Sequence, residues 1–493
     1  MLFKNIAETL AINAKRRPDH LAIISSEGAV DYKTFELRVG QTATMLSRLG
    51  MRSGDIVGIA LRDNADHIIA MYACAWIGAI ILPFDWRWAK AEKQNLASWF
   101  RPKLILVEGA QEDQDQDIEG HSFIYVDDAW RQKRDEQDPS EIPIVKNSEM
   151  GLLLSLSSGT TGRPKGPLLT HNIIQNRFIQ HWSVLSFHEQ DTHLISTPLY
   201  FGGGRMFALS HLFIGATIVL LKNPYTPEEL IECVRKYQIT TMFIVPTMLR
   251  RLLAMPDHGE LLLPFPRYVI SGGSALHPSE RQAALERISN HLVNYYSSSE
   301  GGAVSLLLPY HQNVDDSVGR PVFMTEVEIV DHHDKLLGPN EIGLVRYRGP
   351  GVPGSLYMDI EASKDMFRGG WFYPGDLGRI DERGFLFLTG RAKDMIIRGG
   401  INIYPQDIER SIMQVQGVED VAVVGWPSKA YGEEVAAFVV TSHEMNSDDI
   451  ISYCKDHLAP YKIPRQIFFI DKLPRNSAGK IIKSDLAARL EPL

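Results

Sequence analysis

The chain has 493 residues, more than one hydrophobic core usually holds, so we expect at least two domains. Its hydrophobic content of 44% and charged content of 23% are typical of a globular protein that folds in water. The net charge of −9, without a basic run or a basic–aromatic cluster, disfavours a nucleic-acid partner. Three widely spaced cysteines, Cys74, Cys233 and Cys454, indicate neither a zinc site nor a disulfide framework, and they favour a reducing cytoplasmic setting.

Two stretches bear on targeting and membranes. Residues 1–17 carry several charges and no apolar core long enough for a signal peptide. The uncharged stretch from Ile68 to Phe84 lies at the short end of the range for a membrane span. Gly78 divides this stretch and Pro83 closes it. We therefore predict a helix that runs into a buried strand, and no membrane span.

The first part of the chain, to about residue 149, alternates helical patterns with short apolar runs. Such alternation predicts an α/β layered sheet. The charged segments Glu112–Asp117 and Arg131–Glu141 predict exposed loops. The predicted strands are Leu21–Ile24, Ile56–Ala60, Ala79–Leu82 and Leu104–Val107, and the predicted helices are Tyr32–Leu49 and His67–Trp76.

A second sheet is expected across roughly residues 160 to 300, where the α/β alternation resumes. Its predicted helices are His171–Leu185, Pro227–Tyr237 and Pro278–Ile288, and its predicted strands are Thr217–Leu221, Thr241–Val245 and Arg267–Ile270.

The pattern changes from Val314 onward, where strands alternate with short turns and long helices are absent until Pro405. Glu326–Val330 and Gly343–Arg348 predict a small β-rich subdomain. The short polar stretch Thr389–Asp394 is the predicted domain boundary. The sequence after this boundary predicts a compact α+β unit. Its predicted helices are Pro405–Met413 and Asp448–Leu458, and its predicted strands are Val418–Val424, Val435–Thr441 and Gln466–Phe469.

A glycine- and hydroxyl-rich stretch, Ser157–Gly166, follows the apolar run Gly151–Leu156, which predicts a buried strand. Glycines let the backbone approach a ligand, hydroxyls add donors, and Lys165 adds a point charge for phosphate oxygens. The stretch is not a P-loop, because Gly166 follows the lysine where that motif needs Ser or Thr. The pattern favours a polyphosphate site over a plain polar turn.

A second polar stretch, Asn294–Gly302, follows the predicted strand Leu292–Val293. It carries three serines and Glu300 beside two glycines. Because Mg²⁺ prefers carboxylate oxygen, this set suits a phosphate–metal site. From these residues alone, an ordinary polar loop is the favoured interpretation.

These motifs resemble those of the adenylate-forming (ANL) superfamily, which includes acyl-CoA synthetases, non-ribosomal adenylation domains and luciferases. Ser158 to Gly166 match its signature S-G-T-T-G-x-P-K-G throughout. Four further stretches resemble its motifs in family order and extend the resemblance over nearly the whole chain. They are Ser271–Leu276 (G-G-x-x-L), Tyr296–Glu300 (Y-G-x-T-E, with Ser297 for Gly and Ser299 for Thr), Tyr373–Asp376 (T-G-D, with Pro374 for Thr) and Pro474–Ile481 (P-R-x-x-x-G-K).

The resemblance implies a fold and a domain arrangement. A large N-terminal domain, residues 1–390, would hold two α/β sheets, a β-rich subdomain and the ATP and acyl sites. A hinge at residues 391–394, with Asp394 at the hinge position, would join it to a small mobile α+β domain, residues 395–493. In the family this small domain rotates about the hinge between two half-reactions.

The implied activity is a two-step ligation. A carboxylate attacks the α-phosphorus of MgATP to give an acyl-adenylate and pyrophosphate, and a nucleophile then displaces AMP. By resemblance Glu300 would hold Mg²⁺, Lys165 and Lys480 would supply charge, and Asp376 would bind the ribose hydroxyls. The implied ATP-binding residues are Ser158, Gly159, Thr160, Thr161, Gly162, Lys165, Gly273, Ser274, Asn294, Tyr296, Ser299, Asp376, Arg391 and Lys480.

The acceptor and the acid are less closely specified. Arg398, Gly399 and Gly400 resemble the acceptor segment of acyl-CoA ligases, which favours CoA as the acceptor. An amine or a carrier-protein thiol stays open as another acceptor. A non-catalytic nucleotide sensor stays open as another function. Acetate-using relatives carry Trp where Ser297 stands. The small Ser297 and the three consecutive glycines Gly202, Gly203 and Gly204 therefore predict room for an acid larger than acetate, such as a medium-chain, cyclic or aromatic acid. The implied acyl pocket consists of Tyr200, Phe201, Gly202, Gly203, Gly204, Val245, Gly272 and Ser297.

Overall fold

The structure, a computed structural model, describes residues 3–109, 120–156, 165–311, 314, 316–475 and 480–491. The chain forms two compact units. The first comprises Met1–Gln312, Val322–Thr325 and Arg348–Phe372, and the second comprises Asn313–Pro321, Glu326–Tyr347 and Tyr373–Leu493. The domain boundary at residues 391–394 stays a prediction.

The helices and strands follow in chain order. The helices are α1 Ala7–Arg16, α2 Tyr32–Arg48, α3 Ala65–Ile77, α4 Lys90–Phe100, α5 Asp128–Asp135, α6 His171–Leu185, α7 Gly202–Ile214, α8 Pro227–Lys236, α9 Pro246–Leu253, α10 Pro278–Arg287, α11 Ile360–Met366, α12 Pro405–Ile412, α13 Ser447–His457 and α14 Lys483–Ala487. The strands are β1 Leu21–Ser25, β2 Gly28–Asp31, β3 Ile56–Ala60, β4 Ile80–Pro83, β5 Leu104–Glu108, β6 Phe123–Val126, β7 Gly151–Leu154, β8 Leu168–Thr170, β9 Thr192–Ile195, β10 Thr217–Leu220, β11 Thr241–Ile244, β12 Tyr268–Gly272, β13 Leu292–Ser298, β14 Gly302–Leu307, β15 Arg320–Pro321, β16 Glu326–Val330, β17 Gly343–Arg348, β18 Phe367–Arg368, β19 Trp371–Phe372, β20 Asp376–Ile380, β21 Leu386–Arg391, β22 Ile396–Arg398, β23 Ile401–Ile403, β24 Val418–Ser428, β25 Gly432–Thr441 and β26 Gln466–Phe469.

One sheet of the first unit has the order β6-β5-β3-β4-β7-β8 and is parallel except for the β7–β8 pair. Strands β3 and β4 are buried along their whole length, as strands of parallel sheets usually are. Helix α3 ends at Gly78, whose φ of 77° lets the chain turn directly into β4. The prediction of a helix running into a buried strand is therefore confirmed. In the part of the chain that the structure describes, every helix is too short or too polar to cross a bilayer.

The other sheet of this unit has the order β14-β13-β12-β11-β9-β10-β1-β2. The expectation that it would run over roughly residues 160 to 300 is wrong at its start. The N-terminal hairpin β1–β2 belongs to this sheet, because β1 pairs in parallel with β10 through Ile23 and Ile218. Strands β7 and β8, which flank the glycine-rich stretch, belong instead to the first sheet.

One predicted loop of the first unit is a helix. Residues 131–141 were expected to be exposed, yet α5 covers residues up to Asp135 and buries Trp130 and Arg134. The Asp127 carboxylate caps the helix by accepting the Trp130 N–H at 2.7 Å. Arg134 is buried because its guanidinium pairs with Asp66 at 2.9 Å. The predicted loop at residues 112–117 lies outside the described residues.

The second unit contains the remaining predicted β-rich and α+β parts. Strand β16 pairs with β17, β17 pairs with β20, and β20 pairs with β21. The β17–β20 and β20–β21 pairs are antiparallel. A further sheet has the order β23-β22-β25-β24, and β26 adds to β25 in parallel. An apolar cluster that includes Ile408, Val423 and Ile450 packs α12 and α13 on this sheet. The strand and helix predictions for this region are confirmed within a few residues.

Candidate active site

The first unit collects its predicted site residues at one edge of a sheet. Strands β9, β11, β12 and β13 are parallel neighbours, so their carboxyl ends meet at the same edge. Such an edge is where open α/β sheets bind ligands. The register pairs Ser271 with Asn294 and Gly272 with Tyr295. The segments that leave this edge carry Phe201, Val245, Gly272–Ser274 and Ser297–Glu300.

The predicted acyl-pocket residues of this edge lie close together. A Cβ atom on Gly273 would lie 3.7 Å from Phe201 Cζ and 3.8 Å from Val245 Cγ1. Gly273 also has a φ of 97°, a conformation that glycine tolerates best. Phe201, Val245, Gly273 and Ser297 are all partly exposed. We use the name acyl recess for this set, which joins the predicted acyl-pocket residues Phe201, Val245 and Ser297 to Gly273, a residue predicted for ATP binding.

The three consecutive glycines of the predicted acyl pocket, Gly202, Gly203 and Gly204, differ in their surroundings. Among the described residues, a Cβ on Gly202 would meet only Ser299 Oγ, at an ordinary contact distance of 3.8 Å, so it would clash with none of them. A Cβ on Gly203 would lie 2.5 Å from the ring of Phe243, and one on Gly204 would clash with the Thr197 carbonyl. Gly203 and Gly204 therefore serve close packing. The expectation that the glycines leave room for the acid is therefore wrong for Gly203 and Gly204, and it stays a prediction for Gly202.

The base of the glycine-rich loop lies beside the carboxylate motif. Ser155, which precedes the loop, donates its hydroxyl to the Ser299 carbonyl at 2.8 Å. Gly166, at the other end, accepts a hydrogen bond from the Tyr357 N–H at 2.9 Å. Lys165 lies 3.8 Å from the Asp359 carboxylate. The predicted ATP-binding residues Ser158, Gly159, Thr160, Thr161 and Gly162 lie outside the described residues.

Arg177 is a buried residue of this site that the sequence analysis missed. It lies on α6 and donates to the carbonyls of Gly351 (2.8 Å), Ser299 (3.3 Å) and Glu300 (2.6 Å). Three carbonyls from two separate segments thus share one guanidinium, which fixes the backbone that carries Glu300. No motif marks Arg177, because its partners are backbone atoms more than a hundred residues away.

A second missed arginine supports the segment before α7. Arg205 is 2% exposed and donates to the carbonyls of Leu199 (3.2 Å) and Tyr200 (2.6 Å). Burial lowers the pKa of its guanidinium to about 10. The Tyr200 hydroxyl in turn accepts a hydrogen bond from Arg87 at 3.1 Å. These contacts hold the turn that leads to Phe201 and Gly202.

The second unit pairs two of the predicted ATP-binding residues directly. Asp376 begins β20 and Arg391 ends β21, opposite each other in the register. Arg391 Nε lies 2.8 Å from Asp376 Oδ1, and its Nη1 donates to the Pro374 carbonyl at 2.9 Å. Asp376 is 6% exposed, whereas Arg391 is exposed. The arginine therefore orients a buried carboxylate at the end of the strand pair.

The predicted acceptor segment is a tight hairpin. Gly399 and Gly400 join β22 to β23 with φ values of 58° and 84°, which two-residue hairpin turns of type I′ require. Arg398, just before the turn, forms two hydrogen bonds with Glu434, at 2.6 and 3.1 Å. The Glu434 side chain is 3% exposed. This carboxylate was not predicted, and it anchors the hairpin to β25.

The last two predicted residues lie on short connections of the second unit. Asp394 ends a single 3₁₀ turn, Ala392–Asp394, that follows β21. Lys480 is exposed and precedes Ile481, which forms an isolated β-bridge with Arg475. Residues 476–479 lie outside the described residues. The roles of both side chains stay predictions.

Comparison with known families gives matches over most of the chain. A model of the AMP-binding enzyme family matches residues 10–357, and a model of the AMP-binding enzyme C-terminal domain matches residues 407–480. Among curated proteins, 2-succinylbenzoate–CoA ligase of Bacillus licheniformis is 27% identical over 96% of this chain and 98% of its own length. Indoleacetate–CoA ligase of Aromatoleum aromaticum is 28% identical over 98% of this chain and 97% of its own length.

Solved structures show the same fold. ATP-bound MatB from Rhodopseudomonas palustris superposes with a TM-score of 0.90 at 25% identity, over 98% of this chain and 99% of its own. The o-succinylbenzoate-CoA synthetase MenE from Bacillus subtilis, in complex with ATP and magnesium, gives a TM-score of 0.88 at 26% identity, over 97% and 98%. The resemblance drawn from the sequence motifs and the predicted fold class are confirmed. The chain belongs to the AMP-binding enzyme family of the adenylate-forming superfamily.

Proposed function

We propose that this protein is a carboxylate–CoA ligase that activates an acid larger than acetate with MgATP. The observation that carries the proposal is that Ser155 and Arg177 hold the backbone of Ser299 and Glu300. Gly166, which follows Lys165, packs against the Ser155 carbonyl, and Ser299 lies near Gly202 of the predicted acyl pocket. Similar proteins that match over nearly their full length are named as CoA ligases for succinylbenzoate and indoleacetate. The family and this geometry together support an adenylation reaction.

The first half-reaction joins two anions. An oxygen of the substrate carboxylate attacks the α-phosphorus of ATP, the bond to the β-phosphate oxygen breaks, and pyrophosphate leaves. Lys165 and Lys480 would offset the repulsion between carboxylate and triphosphate and stabilise the charge that builds up on the α-phosphate. Asp376, oriented by Arg391, would accept hydrogen bonds from the ribose hydroxyls. Such contacts would align the carboxylate with the phosphorus.

Glu300 suits a magnesium ion, since a carboxylate oxygen is the ligand that hard cations prefer. Its backbone carbonyl is already held by Arg177, which leaves the position of the residue fixed. When bound, the ion would neutralise phosphate charge and orient the triphosphate. The MenE structure that this chain resembles was solved with ATP and magnesium.

The acid is proposed to be medium-chain, cyclic or aromatic. Two features support this size: a Cβ on Gly202 would clash with none of the described residues, and Ser297 is small and partly exposed. Gly203 and Gly204 no longer support this proposal, because they pack against Phe243 and the Thr197 carbonyl. The relatives named for succinylbenzoate and indoleacetate take acids of this size.

CoA is the proposed acceptor. Its thiol would attack the acyl carbonyl carbon of the adenylate, the bond to the phosphate oxygen would break, and AMP would leave. The Gly399–Gly400 turn has no side chains that could obstruct a slender thiol arm. An amine or a carrier-protein thiol is the second candidate acceptor.

The proposal is tested by ATP–pyrophosphate exchange over a panel of carboxylic acids, with the native protein and Lys480→Ala. We expect exchange with one class of acid and a loss of about 100-fold or more in the variant, as for other fixed charges that stabilise a transition state. Lys472→Ala, an exposed lysine of the same segment, is the matched control and should keep the native rate.

Three outcomes decide between the alternatives. Exchange that depends on an acid, followed by thioester formation when CoA is added, supports the ligase. Exchange without thioester formation favours another acceptor. ATP binding without exchange for any acid would contradict the proposal and favour a nucleotide sensor.

A further inference from the structure

A buried tyrosine begins the turn that carries Asp376. Tyr373 is 7% exposed, and its hydroxyl takes part in two hydrogen bonds. It accepts one from Arg346 Nη1 at 3.0 Å and donates one to Asp334 Oδ1 at 3.0 Å. A guanidinium can only donate and a carboxylate can only accept, so the direction of both bonds is fixed. The Tyr373 hydroxyl is therefore held between a cation and an anion.

The arginine that binds this hydroxyl is itself oriented. Arg346 lies on β17, and its Nε donates to the Glu328 carboxylate on the neighbouring strand β16 at 2.8 Å. The Arg346 side chain is 14% exposed and that of Glu328 is 22% exposed. Salt screens such a partly buried ion pair less than a surface pair. Arg346 therefore holds Tyr373 from a fixed position in the sheet.

The aspartate at the other end lies in a turn with an unusual backbone conformation. Asp334 has a φ of 62°, in the left-handed region that side chains other than glycine adopt rarely. Asp331 holds this turn by accepting the N–H groups of His333 and Lys335, at 2.8 and 3.0 Å. Uncommon backbone conformations persist where the surrounding structure maintains them, and they occur often at functional sites. This turn brings the Asp334 carboxylate to the Tyr373 hydroxyl.

The two residues between Tyr373 and Asp376 are also held. Both of their carbonyls accept hydrogen bonds at 2.9 Å, one from Arg391 Nη1 and one from the Ala392 N–H. The first of the two is Pro374, whose ring fixes its φ. Because little backbone freedom remains in this turn, a displacement of Tyr373 would be passed on to Asp376.

The placement of Asp376 matters most for the ribose. In the proposed function the Asp376 carboxylate accepts hydrogen bonds from both ribose hydroxyls of ATP, which requires matching distances and angles. 2′-Deoxy-ATP has the same base and phosphates but lacks one of these hydroxyls. Its binding therefore depends less on the position of the carboxylate. The preference for ATP over 2′-deoxy-ATP reports where Asp376 lies.

We infer that Tyr373, held between Arg346 and Asp334, positions Asp376 and thereby sets how strongly the protein prefers ribonucleotides to 2′-deoxyribonucleotides. Asp376 is the residue that contacts the ribose, and Tyr373, Arg346 and Asp334 are positioning residues. The inference rests on the nucleotide binding of the proposed function and adds a set of residues that determines its nucleotide specificity.

Isothermal titration with MgATP and with the magnesium complex of 2′-deoxy-ATP measures this preference as a ratio of Kd values. We expect the native protein to bind MgATP about tenfold or more tightly. Tyr373→Phe should reduce the ratio about threefold to tenfold, chiefly by weakening the binding of MgATP. A merely structural role of the hydroxyl would weaken the binding of both nucleotides equally and leave the ratio unchanged. The kcat/KM values for the two nucleotides in pyrophosphate exchange give a second ratio.

A second variant, Asp334→Gly, removes the carboxylate at an exposed position where glycine adopts the left-handed backbone without strain. It should lower the ratio in the same direction. Because Asp334 acts through the Tyr373 hydroxyl, the double variant should lose no more than Tyr373→Phe alone. Asn340→Gly is the matched control, since Asn340 is also exposed, has a φ of 66° and accepts a hydrogen bond from Arg379 at 2.8 Å. This control should keep the native ratio.

The results separate this inference from the function beneath it. Equal affinity of the native protein for the two nucleotides would overturn the inference alone. So would a native ratio in Tyr373→Phe or, should that variant fail to fold, in Asp334→Gly. A double variant that loses the sum of both effects would contradict the route through the Tyr373 hydroxyl. The expected ratios without exchange for any acid would support the inference and overturn the ligase function. No binding of either nucleotide would overturn both.

Discussion

At the scale of single residues, the buried arginine Arg177 shows how this site is held in place. Arg177 is 3% exposed, and its guanidinium donates hydrogen bonds to the carbonyls of Ser299, Glu300 and Gly351. Hydrogen bonds from a charged donor are among the stronger ones in proteins, and a carbonyl left without its buried donor is costly. Arg177 therefore fixes the backbone on which the proposed magnesium ligand sits.

Replacing the Arg177 side chain should make the enzyme use MgATP less efficiently. We expect Arg177→Met to raise the KM for MgATP and to lower kcat/KM by about tenfold to hundredfold, because the three carbonyls would lose a shared donor of about 1–3 kcal/mol per bond. Pyrophosphate exchange at varied MgATP concentration measures the effect.

The matched control for that experiment is Arg134→Met. Arg134 is also a buried arginine of the first unit, and it pairs with Asp66 at 2.9 Å. Its loss should lower the melting temperature without changing the KM for MgATP. Equal KM values for MgATP in Arg177→Met and the native enzyme would contradict a positioning role.

At the scale of elements, the hairpin formed by β22 and β23 depends on one buried carboxylate. Glu434 lies on β25 and holds Arg398 through two hydrogen bonds. The same contact raises the pKa of the Arg398 guanidinium. Gly399 adds a backbone hydrogen bond to the Tyr431 carbonyl at 2.8 Å. Contacts with Glu434 and the Tyr431 carbonyl, which lie outside the turn, therefore fix the position of the proposed acceptor turn.

This arrangement predicts an effect on one half-reaction only. Glu434→Gln keeps the shape but removes the charge that Arg398 requires, so thioester formation should slow by about tenfold or more. Pyrophosphate exchange, which reports adenylation, should stay near the native rate. Single-turnover thioester formation and exchange, measured on the same preparation, check both statements.

Glu409→Gln provides the comparison for Glu434→Gln. Glu409 is a buried carboxylate of the same unit and accepts hydrogen bonds from Val423 N–H (2.8 Å) and Lys483 (2.7 Å). Its replacement should reduce stability and leave the ratio of the two half-reactions unchanged. If Glu434→Gln slowed both half-reactions equally, the hairpin would have no selective role.

At the scale of the whole molecule, five buried histidines make stability depend on pH. Burial lowers the pKa of His67, His171 and His211 to about 4 and that of His181 to about 3, and it lowers that of His193 as well. All five lie in the first unit. Each folded pKa lies below the ordinary value of 6.5, so the unfolded chain binds more protons between about pH 4 and 6.5.

Stability should therefore be full above pH 6.5 and fall as the pH drops through that window. Each histidine contributes at most about 1.4 kcal/mol per pH unit to the free energy of unfolding. Thermal unfolding at pH 7.5, 6.5 and 5.5 measures the slope. His67→Gln should make the slope shallower, and His258→Gln, at an exposed position, should leave it unchanged. A melting temperature independent of pH in this range would contradict the expectation.

The sequence by itself determined the local structure and the family. Strands such as β3 and helices such as α6 can be predicted from neighbouring residues, because the spacing of apolar residues is a local property of the chain. The glycine-rich stretch and the motifs around Glu300 and Asp376 carry their chemistry in a few adjacent side chains. That is why the fold class could be predicted before any contact was known.

The tertiary structure decided which distant segments meet. It alone placed β1 beside β10 and brought Arg177 to Glu300, since pairing and burial depend on partners far along the chain. It also turned a predicted loop into α5, because Asp66 supplies the charge that lets Arg134 be buried. Finally, it showed that Gly203 serves packing against Phe243. Local patterns could not reveal these contacts, because each one joins residues from separate elements.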